Sequence, residues 1–444
     1  MGRAQAQPTP RHPISVAGYL VLGALTMITP LATNMYVPAL PDLAASFNST
    51  VATAQLTVSA ALIGIVLGQL VIGSISDRVG RRAPALLGTA MFVVTSVLCA
   101  FAPSMTWLII LRVLEGFAGA SGVVLARASI RDRVDGPLAA QALSRLLVVA
   151  AIGPIIGPFL GSLSLHFTDW RGVFIALALA GAIAFVLSLR WFPETLRSRQ
   201  PSAPTTVPSG TGVDSHRQEN QAWQRLIRDR TFWGYVLVAG LLGTVTFSWL
   251  STGSFFMAAL YGTEATGYAL LVGFTSLCFL SGAWVNSRSV MRIGARRALI
   301  RGLLLIGVGS VVLLIAVFAH LPLFVTVIAI AITFGSYGGM IANAQALGMT
   351  PHGDAAGAAS AFLGASQFLL GALIPPIITM AFGFTWAMPA TMLGASGVAL
   401  VITMTMRRHH KRSTALRERQ ERSSDRDEET ISDLAPPLDP ETTL

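Results

Sequence analysis

Glu115 is the one acidic residue, of 21, that falls well inside an apolar stretch, and Arg112 stands three positions before it. Side chains at i and i+3 of a helix can meet, so a carboxylate and a guanidinium are brought together in a place where either alone is costly. Two chemistries follow. The carboxylate can take up and release a proton while the arginine tunes it, because a neighbouring cation favours the ionised form and desolvation opposes it. Alternatively the two form an ion pair that only holds the helix in place. Ionisable groups at this depth more often mark a relay than a brace, which favours the first reading. A second constellation runs from Gly73 to Arg82 and contains Asp77, Arg78, Gly80 and Arg81. Asp77 can accept hydrogen bonds from helix N-terminal amides or from an arginine, the arginines can hold lipid headgroups, and Gly73 is suited to close helix approach. The third constellation is uncharged: Gly153, Pro154, Gly157, Pro158 and Gly161. Its glycines recur every four residues and share one helix face, while its prolines remove backbone donors and bend the helix.

Other chemistries lack their residues. The single lysine, Lys411, lies near the C-terminal end and outside any glycine-rich loop, so no phosphate-cradling loop of the ATP-driven kind is present. His12, His166, His216, His320 and His352 stand singly in loops and His409-His410 in a basic tail, so no metal-ligand spacing arises. Cys99 and Cys278 lie in apolar stretches and read as small core residues. The chain is therefore expected to be no enzyme and to need no cofactor or metal.

Elements that could position these groups follow from hydropathy. The chain is 53% hydrophobic and 12% charged, with 42 glycines. It divides into twelve apolar spans between about residues 16 and 406, each near the ~20 residues that cross the hydrocarbon core. Of the 31 Lys and Arg residues, all but Arg112, Arg145 and Arg171 fall in segments on one side of the spans. The positive-inside rule then puts both termini in the cytoplasm, and the net charge of +10 serves topology and anionic headgroups, not nucleic acid. The predicted organisation is a six-helix bundle over 1–192, a Pro- and Ser-rich linker over 193–231, a second bundle over 232–406 and a disordered tail over 407–444. Trp223, Leu226 and Ile227 at the linker's end suggest a short amphipathic helix on the inner leaflet. The first span is expected to stay as an anchor, without signal cleavage. A weak repeat relates the halves: Arg288 to Arg297 matches the Gly73 to Arg82 loop in place and character.

With these motifs the chain resembles the major facilitator superfamily over nearly every helix between residues 14 and 406. The resemblance implies an all-α integral membrane protein with twelve helices in two six-helix bundles and a substrate path between them. By the same resemblance Asp77, Arg78, Gly80 and Arg81 are gating residues, and Gly153 to Gly161 is similar to the motif that marks the superfamily's antiporters. A narrower likeness rests on Asn34-Met35-Tyr36-Val37-Pro38-Ala39-Leu40-Pro41, Arg131-Asp132, Phe192-Pro193-Glu194-Thr195 and the stretch from Ala355 to Gln367. These look like the bicyclomycin/chloramphenicol-resistance branch of the drug:proton antiporters. One departure matters: that branch carries Asp where this chain has Asn34, so Glu115, with Arg112, is left as the candidate coupling site.

A pocket for drug-like molecules should be apolar and aromatic with a few placed polar groups. Asn34, Tyr36, Phe255, Phe256, Tyr337 and Gln367 are candidate lining residues, with Phe247, Trp249 and Asn343. The expected protein is a monomeric, multi-pass transporter of the cytoplasmic membrane that exports small amphipathic compounds in exchange for protons, with membrane lipids as its other partners. The alternative is an importer of a small nutrient on the same fold.

Overall fold

The computed structural model describes residues 15–134, 136–196 and 223–406. Among these, twelve helices are long and apolar enough to cross a membrane. The first six are α1 (Val16–Ser46), α2 (Val51–Val79), α3 (Arg82–Ala100), α4 (Met105–Arg133), α5 (Gln141–Phe167) and α6 (Trp170–Trp191). The second six are α7 (Arg230–Tyr261), α8 (Ala265–Ile293), α9 (Ala295–Phe318), α10 (Leu323–His352), α11 (Gly357–Phe382) and α12 (Phe384–Met406). Short polar caps start several of them. Ser15 accepts from the Gly18 amide, Thr50 from Thr53, Ser104 from Trp107 and Asp229 from Thr231, supplying partners for amides that the first turn leaves free.

Two helices are broken where the sequence removes donors or side chains. In α1 the regular helix stops at Asn34, a tight turn spans Val37–Ala39, and helix resumes at Leu40, since Pro38 and Pro41 cannot donate to the preceding turn. In α10 the helix stops at Tyr337 and resumes at Met340. There the glycine pair lets α8 approach: a Cβ on Gly338 would sit 2.0 Å from the Phe279 carbonyl oxygen, and one on Gly339 would strike Asn286.

Glycines set close helix approaches within each six-helix half. In the first, α2 and α4 meet backbone to backbone at Gly64, whose Cβ would lie 2.1 Å from the Val113 carbonyl, and at Gly116 against Ala61. Gly73, read from sequence as the close-approach residue, is not one: an added Cβ there would find only Val124 at an ordinary 3.8 Å. In the second, α7 is buried along most of its length and Gly243 seats the backbone of Gln367 on α11. The linker end forms a helical turn over 223–228, with Leu226 fully buried and the Trp223 ring 6.2 Å from Phe362, so its apolar side turns onto the protein while Ile227 stays exposed. Most of the linker and the whole 407–444 tail lie outside the described residues.

With twelve crossings, residues 15 and 406 lie on one face, called here the terminus face. The halves are joined by hydrogen bonds toward the opposite face: Gln55 donates to Thr252 (3.0 Å), Ser59 to the Ala372 carbonyl (2.5 Å) and Ser162 to Thr266 (3.0 Å). All three bonds lie on the half of the molecule away from the termini, so it is the opposite face at which the two bundles are fastened together.

Candidate functional site

Arg112 and Glu115 meet inside the first bundle, 2.5 Å apart and both fully buried. Each remaining group of the pair is occupied. Ser96 of α3 donates to Glu115 Oε1 (2.7 Å), and Cys99 Sγ lies 4.0 Å from Oε2. Arg112 donates to the carbonyl of Ala32 on α1 (3.0 Å) and to that of Thr57 on α2 (3.4 Å), and its guanidinium lies 4.4 Å over the ring of Tyr36. A cation desolvated on an aromatic face and two carbonyls is well held. The pair thus ties α1, α2, α3 and α4 at one point, just below the α1 break. It is sealed from the space between the halves.

That space holds a cavity of about 360 Å³ at mid-depth, within the range of small-molecule sites. Asn34, Tyr337 and Gln367 line it, as expected from sequence, and so do Phe247 and Trp249. Tyr36, Phe255 and Phe256 do not. The Tyr36 ring turns inward onto Arg112 and Phe174, its hydroxyl bonding Thr57, because the α1 break reverses its direction. Phe255 pairs with Phe384 and Phe256 is buried in the core of the second half. Asn343 exchanges amide hydrogen bonds with Asn286 across α8 and α10 (3.0 and 3.3 Å), away from the cavity. Sequence reasoning missed the threonines of α1, Thr29 and Thr33, and the α8 residues Thr275, Ser276 and Phe279. Only the rotation of each helix decides which of its hydroxyls look inward. No lining residue is charged.

On the terminus face the Gly73 to Arg82 loop is fastened to the ends of α4 and α6. Arg81 binds Asp132 (2.8 Å), and Asp77 (2.6 Å) in the same loop. Asp77 is 65% exposed, and among the described residues its ion pair is with Arg81 of the same loop. The first turn of α3 is instead capped by Glu194, which sequence reasoning singled out only as part of a motif. Its carboxylate accepts from the amides of Arg81 (2.8 Å), Arg82 (3.1 Å) and Leu196 (3.0 Å). Burial pushes the Glu194 carboxyl up, but these amides outweigh it and hold it below the usual carboxylate range. The contribution of this cap is therefore complete at neutral pH and is lost only as pH falls through that depressed value. Gly80, at φ +99°, makes the turn and leaves the room: a Cβ there would lie 2.4 Å from Glu194 Oε2.

The repeat seen in sequence has a structural counterpart. Gly294 closes α8 at φ +80° as Gly80 closes α2. Two residues on, Arg82 donates to the Leu189 carbonyl of α6 (3.0 Å) and Arg296 to the Thr403 carbonyl of α12 (2.5 Å). Arg292 takes the place of Arg78, while Met291 stands where the first half has Asp77.

The Gly/Pro face of α5 is spent on α1. A Cβ on Gly153 would lie 2.3 Å from Pro30, one on Gly157 3.0 Å from Asn34, and one on Gly161 1.7 Å from the Met35 carbonyl. Pro154 reaches the cavity wall, and Pro158 lies within the same helix.

The model of the Major Facilitator Superfamily matches residues 22–376. The chain is 31% identical over 381 residues to "Uncharacterized MFS-type transporter YdgK" of Bacillus subtilis, covering 84% of this chain and 90% of that protein. It is 26% identical over 397 residues to a "Bicyclomycin resistance protein homolog" of Haemophilus influenzae, covering 87% and 94%. Among solved structures, a bacterial homologue of the human lysosomal transporter Spinster, inward-facing and occupied, superposes with a TM-score of 0.68 at 16% identity, covering 88% of this chain and 96% of that one. The chain belongs to the major facilitator superfamily: it is a multi-pass membrane transporter and not an enzyme.

Proposed function

We propose that this superfamily member exports small amphipathic drugs or metabolites, of the chloramphenicol or bicyclomycin kind, in exchange for protons. It works in the cytoplasmic membrane with both termini in the cytoplasm, as a monomer. The observation that carries the reading is the mid-depth cavity, walled by aromatic rings and a few uncharged polar groups and lying where two six-helix halves part. Relatives named for bicyclomycin resistance and, at 28% identity, for multidrug resistance support the export of drugs. The charge asymmetry of the loops supports the orientation, and the α5 face built onto α1 supports antiport.

Glu115 carries the proton in this reading, since Asn34 has no proton to exchange. It lies on the part of α4 toward the opposite face, beside the α1 break and behind Gln55 and Ser59, which close that face. Opening there exposes it, and closing seals it onto Arg112. The same seal favours one second reading: passive movement of a solute, import included, with the ion pair as a brace.

Proteoliposomes with an imposed pH gradient separate the two. Export predicts accumulation of chloramphenicol against its gradient when the gradient is applied and collapse of that accumulation with a protonophore. Flux indifferent to the gradient refutes the coupling.

A further inference from the structure

Two of the elements that cover the Arg112–Glu115 pair also fasten the opposite face. On α2, Gln55 and Ser59 are four residues apart and share the side that bonds Thr252 and the Ala372 carbonyl of the second half. Thr57 stands between them and so points the other way, where its carbonyl accepts from Arg112 (3.4 Å) and its hydroxyl meets that of Tyr36. The α1 break is placed in the same manner. Its turn, Val37–Ala39, packs on α7 and α8, and the resumed helix, Leu40–Ser46, packs on α7. Tyr36, immediately before the turn, lays its ring 4.4 Å from the Arg112 guanidinium.

One hydrogen bond fixes that ring to α2. Thr57 gives its own proton to the Ala54 carbonyl (2.6 Å), so the Tyr36 hydroxyl is the donor and Thr57 Oγ1 the acceptor. Beyond Tyr36 the rings continue toward the opposite face. Phe174 lies 5.6 Å from Tyr36 and 5.6 Å from the guanidinium, Trp170 lies 6.1 Å from Phe174, and Phe47, at the end of α1, lies 5.3 Å from Trp170. Tyr36, Phe174 and Trp170 are fully buried. Drawing the α1 break away from α2 therefore breaks one hydrogen bond and one ring contact. Arg112 keeps its bonds to the carbonyls of Ala32, which lies below the break, and Thr57.

We infer that Tyr36 is the valve of the proton site. With the opposite face closed, its ring and hydroxyl cover Arg112 and Glu115. When the α1 turn leaves α7 and α8, the ring is withdrawn and the carboxylate meets water from that side. Tyr36 acts through Arg112 and is a positioning residue. The inference rests on Glu115 being the proton carrier, and it deepens the function proposed above by naming what regulates access to it.

Cys99 reports on the cover, since its sulfur lies 4.0 Å from Glu115 Oε2 and is itself buried, and Cys278 is the chain's one other cysteine. In purified full-length Cys278→Ser protein, intact mass follows modification of Cys99 by 2-aminoethyl methanethiosulfonate, a small water-borne cation. Modification should be slow, and at least about tenfold faster when Tyr36→Ala is added. Tyr36→Phe and Thr57→Val keep a ring over Arg112 and lose only the hydrogen bond. Each should speed modification about three- to fivefold, and they carry the test where the alanine variant is not recovered folded. Locking the opposite face with a disulfide, through Ser162→Cys and Thr266→Cys, separates a valve from an ordinary core ring. The lock should slow modification about tenfold or more with Tyr36 present, and less than about threefold in Tyr36→Ala. The inference is overturned if Cys99 of the unlocked Tyr36 protein is never modified, if the Tyr36 and Thr57 variants react at the parent's rate, or if the lock slows Tyr36→Ala as much as the parent. Should modification follow the expected pattern while flux ignores a pH gradient, Glu115 loses its role as proton carrier and the cover stands.

Discussion

The carbonyl oxygens of Ala32 and Thr57 set the terms for any change at Glu115, because they hold Arg112 in place whether or not its counter-ion is present. Glu115→Gln keeps the shape and an acceptor for Ser96 or for Arg112, but not comfortably for both. It leaves a buried cation short of charge, which in comparable sites costs about 3–5 kcal/mol when no other partner takes over. The two carbonyls and the Tyr36 ring reduce that loss, so the variant is expected to fold with lower thermal stability. Transport then discriminates between the two roles. If Glu115 is the coupling group, Glu115→Gln loses pH-driven accumulation yet keeps downhill exchange, since the amide mimics the protonated acid and cannot cycle. If the pair is only a brace, both modes fall together with the yield of folded protein. Undiminished uphill accumulation removes Glu115 from the coupling scheme. The pair was legible in sequence because i, i+3 spacing on one helix is enough to bring it together. The ring that stacks on it was not: Tyr36 follows Asn34 by two residues, and the turn between them sends one to the core and the other to the cavity.

Between elements, the distances that glycine permits are the finer guide. The four-residue spacing on α5 announced a helix neighbour, and the structure supplies α1 as that neighbour, from Pro30 to Met35. Spacing alone could not rank the three positions, whereas the contacts do. A methyl at Gly157 meets a side-chain carbon at 3.0 Å, which a small shift relieves; one at Gly161 meets the Met35 carbonyl at 1.7 Å, where the backbone of the α1 break must move. Overpacking of this kind costs about 1–3 kcal/mol, and here it falls on the backbone of the α1 break, beside the closed opposite face. Gly161→Ala is therefore expected to cut chloramphenicol flux about tenfold or more, and Gly157→Ala by less than about threefold, at matched protein in the membrane. Equal flux from the two variants would mean that α5 and α1 do not stay this close through the cycle. Gly73 gives the converse lesson. Its place in a glycine-bearing loop suggested helix contact, but the tight α2–α4 approach belongs to Gly64 and Gly68, which no loop motif marks.

For the molecule as a whole, twelve spans, two halves and their relation could all be read from hydropathy and from one loop repeat, because burial in lipid leaves so few alternatives for the backbone. Which face is closed could not be read. A transporter's sequence must support two arrangements of nearly equal free energy, so no residue pattern encodes only one of them. The structure has the opposite face shut by contacts that are sparse and polar: Gln55 with Thr252, Ser59 with Ala372, and Ser162 with Thr266. Such bonds contribute on the order of 1 kcal/mol each, weak enough to be exchanged once per cycle. The Ser162–Thr266 contact joins α5 to α8 directly and has its oxygens 3.0 Å apart, so cysteines at both positions would have sulfurs within reach of one another. Ser162→Cys combined with Thr266→Cys should thus cross-link under mild oxidation, stop net transport, and recover when a reductant is added. Each single cysteine should transport with or without oxidant. Because neither Ser162 nor Thr266 lines the cavity, the oxidised protein should still bind chloramphenicol from the terminus face. Full transport by the quantitatively cross-linked protein would show that the opposite face need not open there, and the rocking of two halves around the mid-depth cavity would have to be given up.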